Sequence, residues 1–253
     1  MAPEKRWPNH QIEVVICDDR ASLASVEFCR PQKGGSKAIS KRLRGPEAET
    51  IRAAIRQWNS FFAQNITLKE VESPSAEASL VFRVSSRPER CSTGRVGYSA
   101  ADDFNFISIG TRCNLQARST RTSRGAVIHE IMHAVGFYHE QERSDRAEFL
   151  TIEPRRSVRV AWGLECRRTV AECSKGKRGL PYGSYDFGSI MHYSAVGARA
   201  KGRQVTEVGL AALASAAAGV QDVGQRERLS QQDISAVRAL YPSRSNHVRS
   251  AAD

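Results

Sequence analysis

The chain has 253 residues, 40% of them apolar, with 38 Lys and Arg against 27 Asp and Glu and a net charge of +11. This supports one folded domain, in one or two lobes, and excludes a globally disordered chain. No stretch approaches the roughly 20 apolar residues of a spanning helix, and the opening Met1-Ala2-Pro3-Glu4-Lys5-Arg6-Trp7 lacks the apolar core of a signal peptide.

The elements follow in chain order. Gln11 to Ile16 reads as a strand. Gln32 to Gly45 is basic and contains glycine, so it reads as a loop, and Pro46 suits the first turn of a helix. Ile51, Ile55, Trp58 and Phe62 recur at helical spacing and form a core stripe. Ile66 to Val71, Leu80 to Val84 and Phe104 to Ile109 read as strands. Arg118 to Arg124 is a polar loop, and a helix begins near Ser123 or Arg124 and ends near Gly136. Residues 154 to 185 are predicted mostly loop. Ser230 and Asp233 resemble a capping box with Asp in place of Glu or Gln. Ile234, Val237 and Leu240 mark a final helix that Pro242 ends. An Ala-rich run occupies 210 to 219, and 244 to 253 is expected to be a disordered tail.

The positive charge fits nucleic acid, an anionic membrane or matrix, acidic substrates, or a plain solvated surface. Lys41-Arg42-Leu43-Arg44 and Lys175-Gly176-Lys177-Arg178 are too short for a nucleic-acid tract, and no nucleic-acid partner is expected. Six Cys suit an oxidising compartment, although six cysteines allow 15 pairings. A reduced cytosolic chain is the alternative.

The run from His129 to His139 fits H-E-x-x-H-x-x-G-x-x-H. His129 and His133 are four apart, so a helix sets both on one face, where they can grip one metal ion. Glu130 follows the first ligand and can face a water at the metal. Gly136 permits positive φ, so the helix can end and the chain turn back. His139 then supplies a third nitrogen. Three His with one open position make a catalytic zinc site. Downstream, Ser189-Ile190-Met191-His192-Tyr193 carries a Met placed as in the Met-turn that accompanies such helices.

These residues resemble the astacin family of zinc metalloendopeptidases. The resemblance rests on Glu140 directly after the third His and on Tyr193 two residues after Met191. It extends through Trp7-Pro8-Asn9, Cys91 to Tyr98, Gly224-Gln225-Arg226, Leu229-Ser230 and Leu240-Tyr241-Pro242, nearly the whole chain. It implies an α+β, zincin-like catalytic domain over 1–243. A twisted, mostly parallel sheet with two long helices would form an N-terminal lobe of about 7–136. An irregular lobe of about 137–243 would carry the final helix.

It also implies roles. One zinc ion would sit on His129, His133 and His139, with Tyr193 as a further ligand that swings to stabilise the tetrahedral intermediate. Glu130 would be the general base, and Met191 would lie beneath the metal. Glu140 would contact the mature amino terminus. Cys91 to Tyr98 would supply a cleft-edge strand that pairs with an extended peptide. Arg226 would sit near the pocket after the scissile bond and favour acidic residues there. Cys91 and Cys113 match a family disulfide. Cys166 and Cys173 could close a small loop, leaving Cys17 and Cys29 over, because no Cys follows the last helix to pair with an early one. The expected protein is a secreted monomer acting on proteins or peptides.

Overall fold

The computed structural model describes residues 1–19, 29, 42–73, 79–85, 91–101, 104–110, 120–145, 180–192 and 224–243. Tyr193, Cys113, Cys166, Cys173, the Ala-rich run, the tail and most of the loops predicted over 32–45 and 154–185 lie outside these residues. The described chain divides into two compact units. One comprises Ala2–Phe137, Arg226–Arg228 and Ile234–Asp253; the other comprises Met1, Tyr138–Gln225 and Leu229–Asp233.

The first unit is built on a five-stranded sheet in the order β2-β1-β3-β5-β4. The strands are β1 (Gln11–Ile16), β2 (Thr67–Glu70), β3 (Ser79–Val84), β4 (Ser92–Thr93) and β5 (Phe104–Ile109). β1 pairs with β2 and β3 in parallel, as β3 does with β5, whereas the edge strand β4 runs antiparallel to β5. Central β3 is buried at Ser79, Leu80, Val81, Phe82 and Arg83, as expected of a parallel strand covered on both faces.

Helix α1 spans Gly45–Phe62. Pro46 occupies its first turn, and the Glu47 carboxylate accepts the Arg44 backbone N–H at 3.0 Å. Ile51, Ile55, Trp58 and Phe62 are buried, as the spacing predicts. Polar bonds seat the helix on the sheet. Trp58 Nε1 donates to the Ile66 carbonyl at 2.9 Å, and Asn59 makes reciprocal bonds to the Leu68 backbone. Arg52 reaches Glu70 at 2.6 Å and Asp18 at 2.8 Å, tying α1 to the ends of β2 and β1.

Helix α2 spans Thr120–Ala134 and packs against α1, β4 and β5. It begins three or four residues before the predicted start, because its first turn of Thr, Arg and Ser carries no apolar periodicity. Its buried face includes Val127, Ile128, Ile131 and Met132. Helix α3 spans Gln231–Leu240. Among the described residues no helix is long and apolar enough to cross a membrane.

The cysteine expectation needs correcting. Cys17 and Cys29 are not left over: they form a disulfide that closes a loop of sequence separation 12. Cys17 is buried at the end of β1, and Cys29 packs against the cluster of Val15, Cys17 and Val81. The early cysteine thus finds a local partner. Cys91 is also disulfide-bonded.

Candidate active site

Helix α2 carries the central chemistry. His129, Glu130 and His133 lie on it and are 7–8% exposed. The His129 and His133 rings stand edge-on, 4.8 Å between centroids, as residues one helical turn apart should. The helix ends at Ala134, one residue past His133. Gly136 has φ of 111°, a conformation that L side chains rarely adopt, and the chain leaves the helical path there. The continuous stretch from 129 to 139 then gathers three histidines: ligand nitrogens of His129, His133 and His139 lie within 4.8 Å of one another.

A tetrahedral zinc ion with bonds of about 2.0–2.1 Å needs donor atoms about 3.4 Å apart, within reach of small side-chain rotations here. The protonation pattern also fits. His133 Nδ1 lies 2.7 Å from the Phe137 carbonyl. A carbonyl can only accept, so Nδ1 carries the proton and Nε2 keeps its lone pair for a metal. His139 Nδ1 stands 3.6 Å from Glu142 Oε2. Three imidazoles without thiolate form a set suited to catalytic zinc.

Glu130 meets a partner that spacing could not reveal. Thr93, on edge strand β4, places its hydroxyl 2.8 Å from Glu130 Oε2 and 2.9 Å from the Glu130 carbonyl. Burial pushes the Glu130 carboxyl up; the Thr93 hydrogen bonds and the Arg226 charge oppose that shift. The Arg226 backbone crosses α2 one turn before His129. A Cβ on Gly125 would collide with the Arg226 carbonyl, so glycine at 125 is what admits this crossing.

The second unit organises the Met-turn. Met191 is buried, its N–H bonds Ser189 Oγ at 3.0 Å, and its carbonyl accepts the Glu140 N–H at 3.2 Å. Asp233, in the first turn of α3, completes the predicted capping box. It accepts the Ser230 N–H, and its own N–H bonds Ser230 Oγ, both at 2.9 Å. The same carboxylate also accepts Ser189 Oγ at 2.7 Å and the Ile190 N–H at 2.9 Å. One side chain therefore caps a helix and pins the Met-turn. Burial pushes its carboxyl up, against the pull of these bonds. His192 Nε2 lies 2.9 Å from the Tyr185 hydroxyl.

Glu140 Oε1 accepts Arg143 Nη1 at 2.8 Å and the Asp186 N–H at 2.9 Å. Burial pushes this carboxyl up to about 7, while both bonds pull the other way. Arg143 also forks onto Asp145 and reaches the Gly183 and Ser184 carbonyls. The Met1 ammonium donates to the Leu180 carbonyl at 2.9 Å.

Comparison with known proteins agrees with this geometry. The family model of the Astacin peptidases matches residues 36–242. The zinc metalloproteinase dpy-31 of Brugia malayi is 28% identical over 201 residues, 78% of this chain and 29% of that protein. The zinc metalloproteinase nas-37 of Caenorhabditis elegans is 35% identical over 159 residues, 62% of this chain and 18% of that protein. The chain thus spans less than a third of the length of these relatives. Among solved structures, high choriolytic enzyme 1, a hatching-enzyme zinc protease of the medaka Oryzias latipes, aligns with a TM-score of 0.54 at 22% identity, covering 95% of this chain and 94% of that one. Myroilysin aligns with a TM-score of 0.52 at 18% identity, covering 94% and 96%. The fold is therefore the α+β fold of these solved structures, and with the family model spanning most of its length the chain belongs to the astacin peptidase family of metzincins.

Proposed function

We propose that this chain is a zinc-dependent endopeptidase that hydrolyses peptide bonds in protein or peptide substrates, with its catalytic domain over 1–243. The observation that carries the reading is the convergence of His129, His133 and His139, with His133 Nδ1 held by a carbonyl and Nε2 available as a ligand. These three residues would hold one zinc ion. Bound zinc supplies a Lewis acid that polarises the scissile carbonyl and lowers the pKa of a water toward about 7.

The chain's own groups supply the rest. Glu130 takes the proton of the attacking water and delivers it to the leaving amine. Thr93 supports this role because its hydroxyl suits both protonation states: it donates to the Glu130 carboxylate, or accepts from the carboxyl and donates to the Glu130 carbonyl. Tyr193 serves as a further ligand and donates its hydroxyl to the oxyanion as charge develops. Met191 would lie beneath the metal, and its carbonyl bond to the Glu140 N–H ties the Met-turn to the residue that follows His139. The exposed edge of β4 pairs with an extended substrate by strand addition. Arg226 favours Asp or Glu after the scissile bond, a reading supported by its charge acting at Glu130. A secreted location is supported by the disulfide engagement of Cys17, Cys29 and Cys91.

A quenched-peptide library tests this directly. Cleavage that chelation abolishes and zinc restores is expected. No cleavage by folded, zinc-loaded protein would refute the peptidase.

A further inference from the structure

The final carbonyls of a helix have no partner within it. At the end of α2 the Ile131, Met132 and His133 carbonyls accept the Val135, Phe137 and Gly136 N–H groups, and the four carbonyls from His133 to Gly136 also draw partners from distant parts of the same unit. The His133 carbonyl accepts the Gly97 N–H at 2.9 Å, and the Gly136 carbonyl accepts the Ala2 N–H at 2.9 Å. The Ala134 carbonyl accepts Trp7 Nε1 at 2.7 Å, and the Val135 carbonyl accepts the Tyr241 hydroxyl at 2.9 Å. The Tyr241 oxygen in turn accepts the Trp7 backbone N–H at 3.2 Å. Trp7 and Tyr241 are 4% and 1% exposed, so water does not compete for these bonds.

We propose that Trp7 and Tyr241 are positioning residues for the metal site, holding the turn that sets the His133 imidazole. This rests on the zinc reading above. Gly136 permits the turn at φ of 111° but does not fix it, since glycine has the widest backbone freedom. On the N–H side these peptide planes are held locally, Val135 N–H to the Ile131 carbonyl at 2.9 Å and Gly136 N–H to the His133 carbonyl at 3.0 Å; on the carbonyl side the indole grips Ala134 and the phenol grips Val135. The turn then delivers the Phe137 carbonyl to His133 Nδ1. If that carbonyl swings away, the imidazole loses its orienting acceptor and can place its proton on Nε2, where it blocks metal binding. The two aromatic residues, 234 positions apart in sequence, thus act on the metal through one ligand's tautomer.

The test uses the full chain and zinc alone, with affinity measured by chelator competition on folded protein. Tyr241→Phe removes one hydroxyl, and Trp7→Phe removes one indole N–H. Trp58→Phe is the control, because it deletes the Trp58 Nε1 bond to the Ile66 carbonyl elsewhere in the unit. Orienting partners of metal-bound histidine are worth about 10- to 100-fold in affinity. Tyr241→Phe and Trp7→Phe should each weaken zinc binding about 10-fold, and Trp58→Phe should not, even where it lowers the melting temperature equally. Wild-type affinity in Tyr241→Phe, or equal loss in Trp58→Phe, would overturn the proposal. Should Tyr241→Phe fail to fold, Trp7→Phe against Trp58→Phe carries the same two outcomes. A wild-type chain that binds no zinc would overturn the zinc reading itself, which the variants alone do not address.

Discussion

The Thr93 hydroxyl lies 2.8 Å from Glu130 Oε2, so the edge strand of the sheet touches the carboxylate between two histidines of the metal motif. A hydrogen bond to a charged group is worth about 1.5–3 kcal/mol. Thr93→Val should therefore lower kcat about 10- to 100-fold, with zinc content unchanged. Steady-state kinetics beside metal analysis checks this, and unchanged kcat would remove Thr93 from the chemistry.

Arg226 makes a separate claim about specificity. Peptides with Asp after the scissile bond should be cleaved faster than matched Ala peptides, and Arg226→Ala should erase that ratio. If Arg226 instead only braces Glu130, the variant will slow both peptides alike and leave the ratio intact.

Gly125 tests the packing beneath that arginine. A Cβ there meets the Arg226 carbonyl, a backbone atom with little freedom to yield. Overpacking of this kind costs about 1–3 kcal/mol. Gly125→Ala should lose that much stability in urea unfolding and also lose activity by displacing residues 226–228. A fully stable, active variant would show that the crossing is loose.

The Arg52 cluster bears on stability alone. Its guanidinium serves both Asp18 and Glu70, whose bonds hold its pKa above the ordinary value. Removing one member of a buried pair costs about 3–5 kcal/mol. Because the Glu70 side chain is 39% exposed, Arg52→Ala should fall near the lower end, about 3 kcal/mol. Denaturant titration measures it, and a loss below about 1 kcal/mol would mark an ordinary surface pair.

Asp233 predicts a pH dependence. Its carboxyl is raised above 3.8 in the fold, so the folded chain holds the proton more tightly than the unfolded chain. Its contribution to stability is then greatest below 3.8 and declines as pH rises through the unfolded and then the folded value. Asp233→Asn can turn its oxygen toward the Ile190 and Ser230 amides and does not titrate. The stability deficit of this variant should be largest at acidic pH and shrink as pH rises toward neutrality. A deficit that grows over that range would reverse the sign assigned to Asp233.

Much of the site was legible because its geometry is local. His129, Glu130 and His133 are fixed by helical spacing, and Gly136 announces the turn. Thr93 was not legible: only sheet pairing brings β4 onto α2. Asp233 was readable as a cap, yet its grip on the Met-turn comes from tertiary packing. The bond from Cys17 to Cys29 escaped because cysteine spacing cannot give connectivity. The early start of α2 escaped because a polar first turn leaves no apolar period to read.

The most direct measurement compares wild type with Glu130→Ala, recording bound zinc and peptide cleavage on the same samples. The account predicts equal zinc in both and a loss of cleavage of at least about 100-fold in the variant, in keeping with removal of a general base. Substantial cleavage by zinc-loaded Glu130→Ala would contradict it.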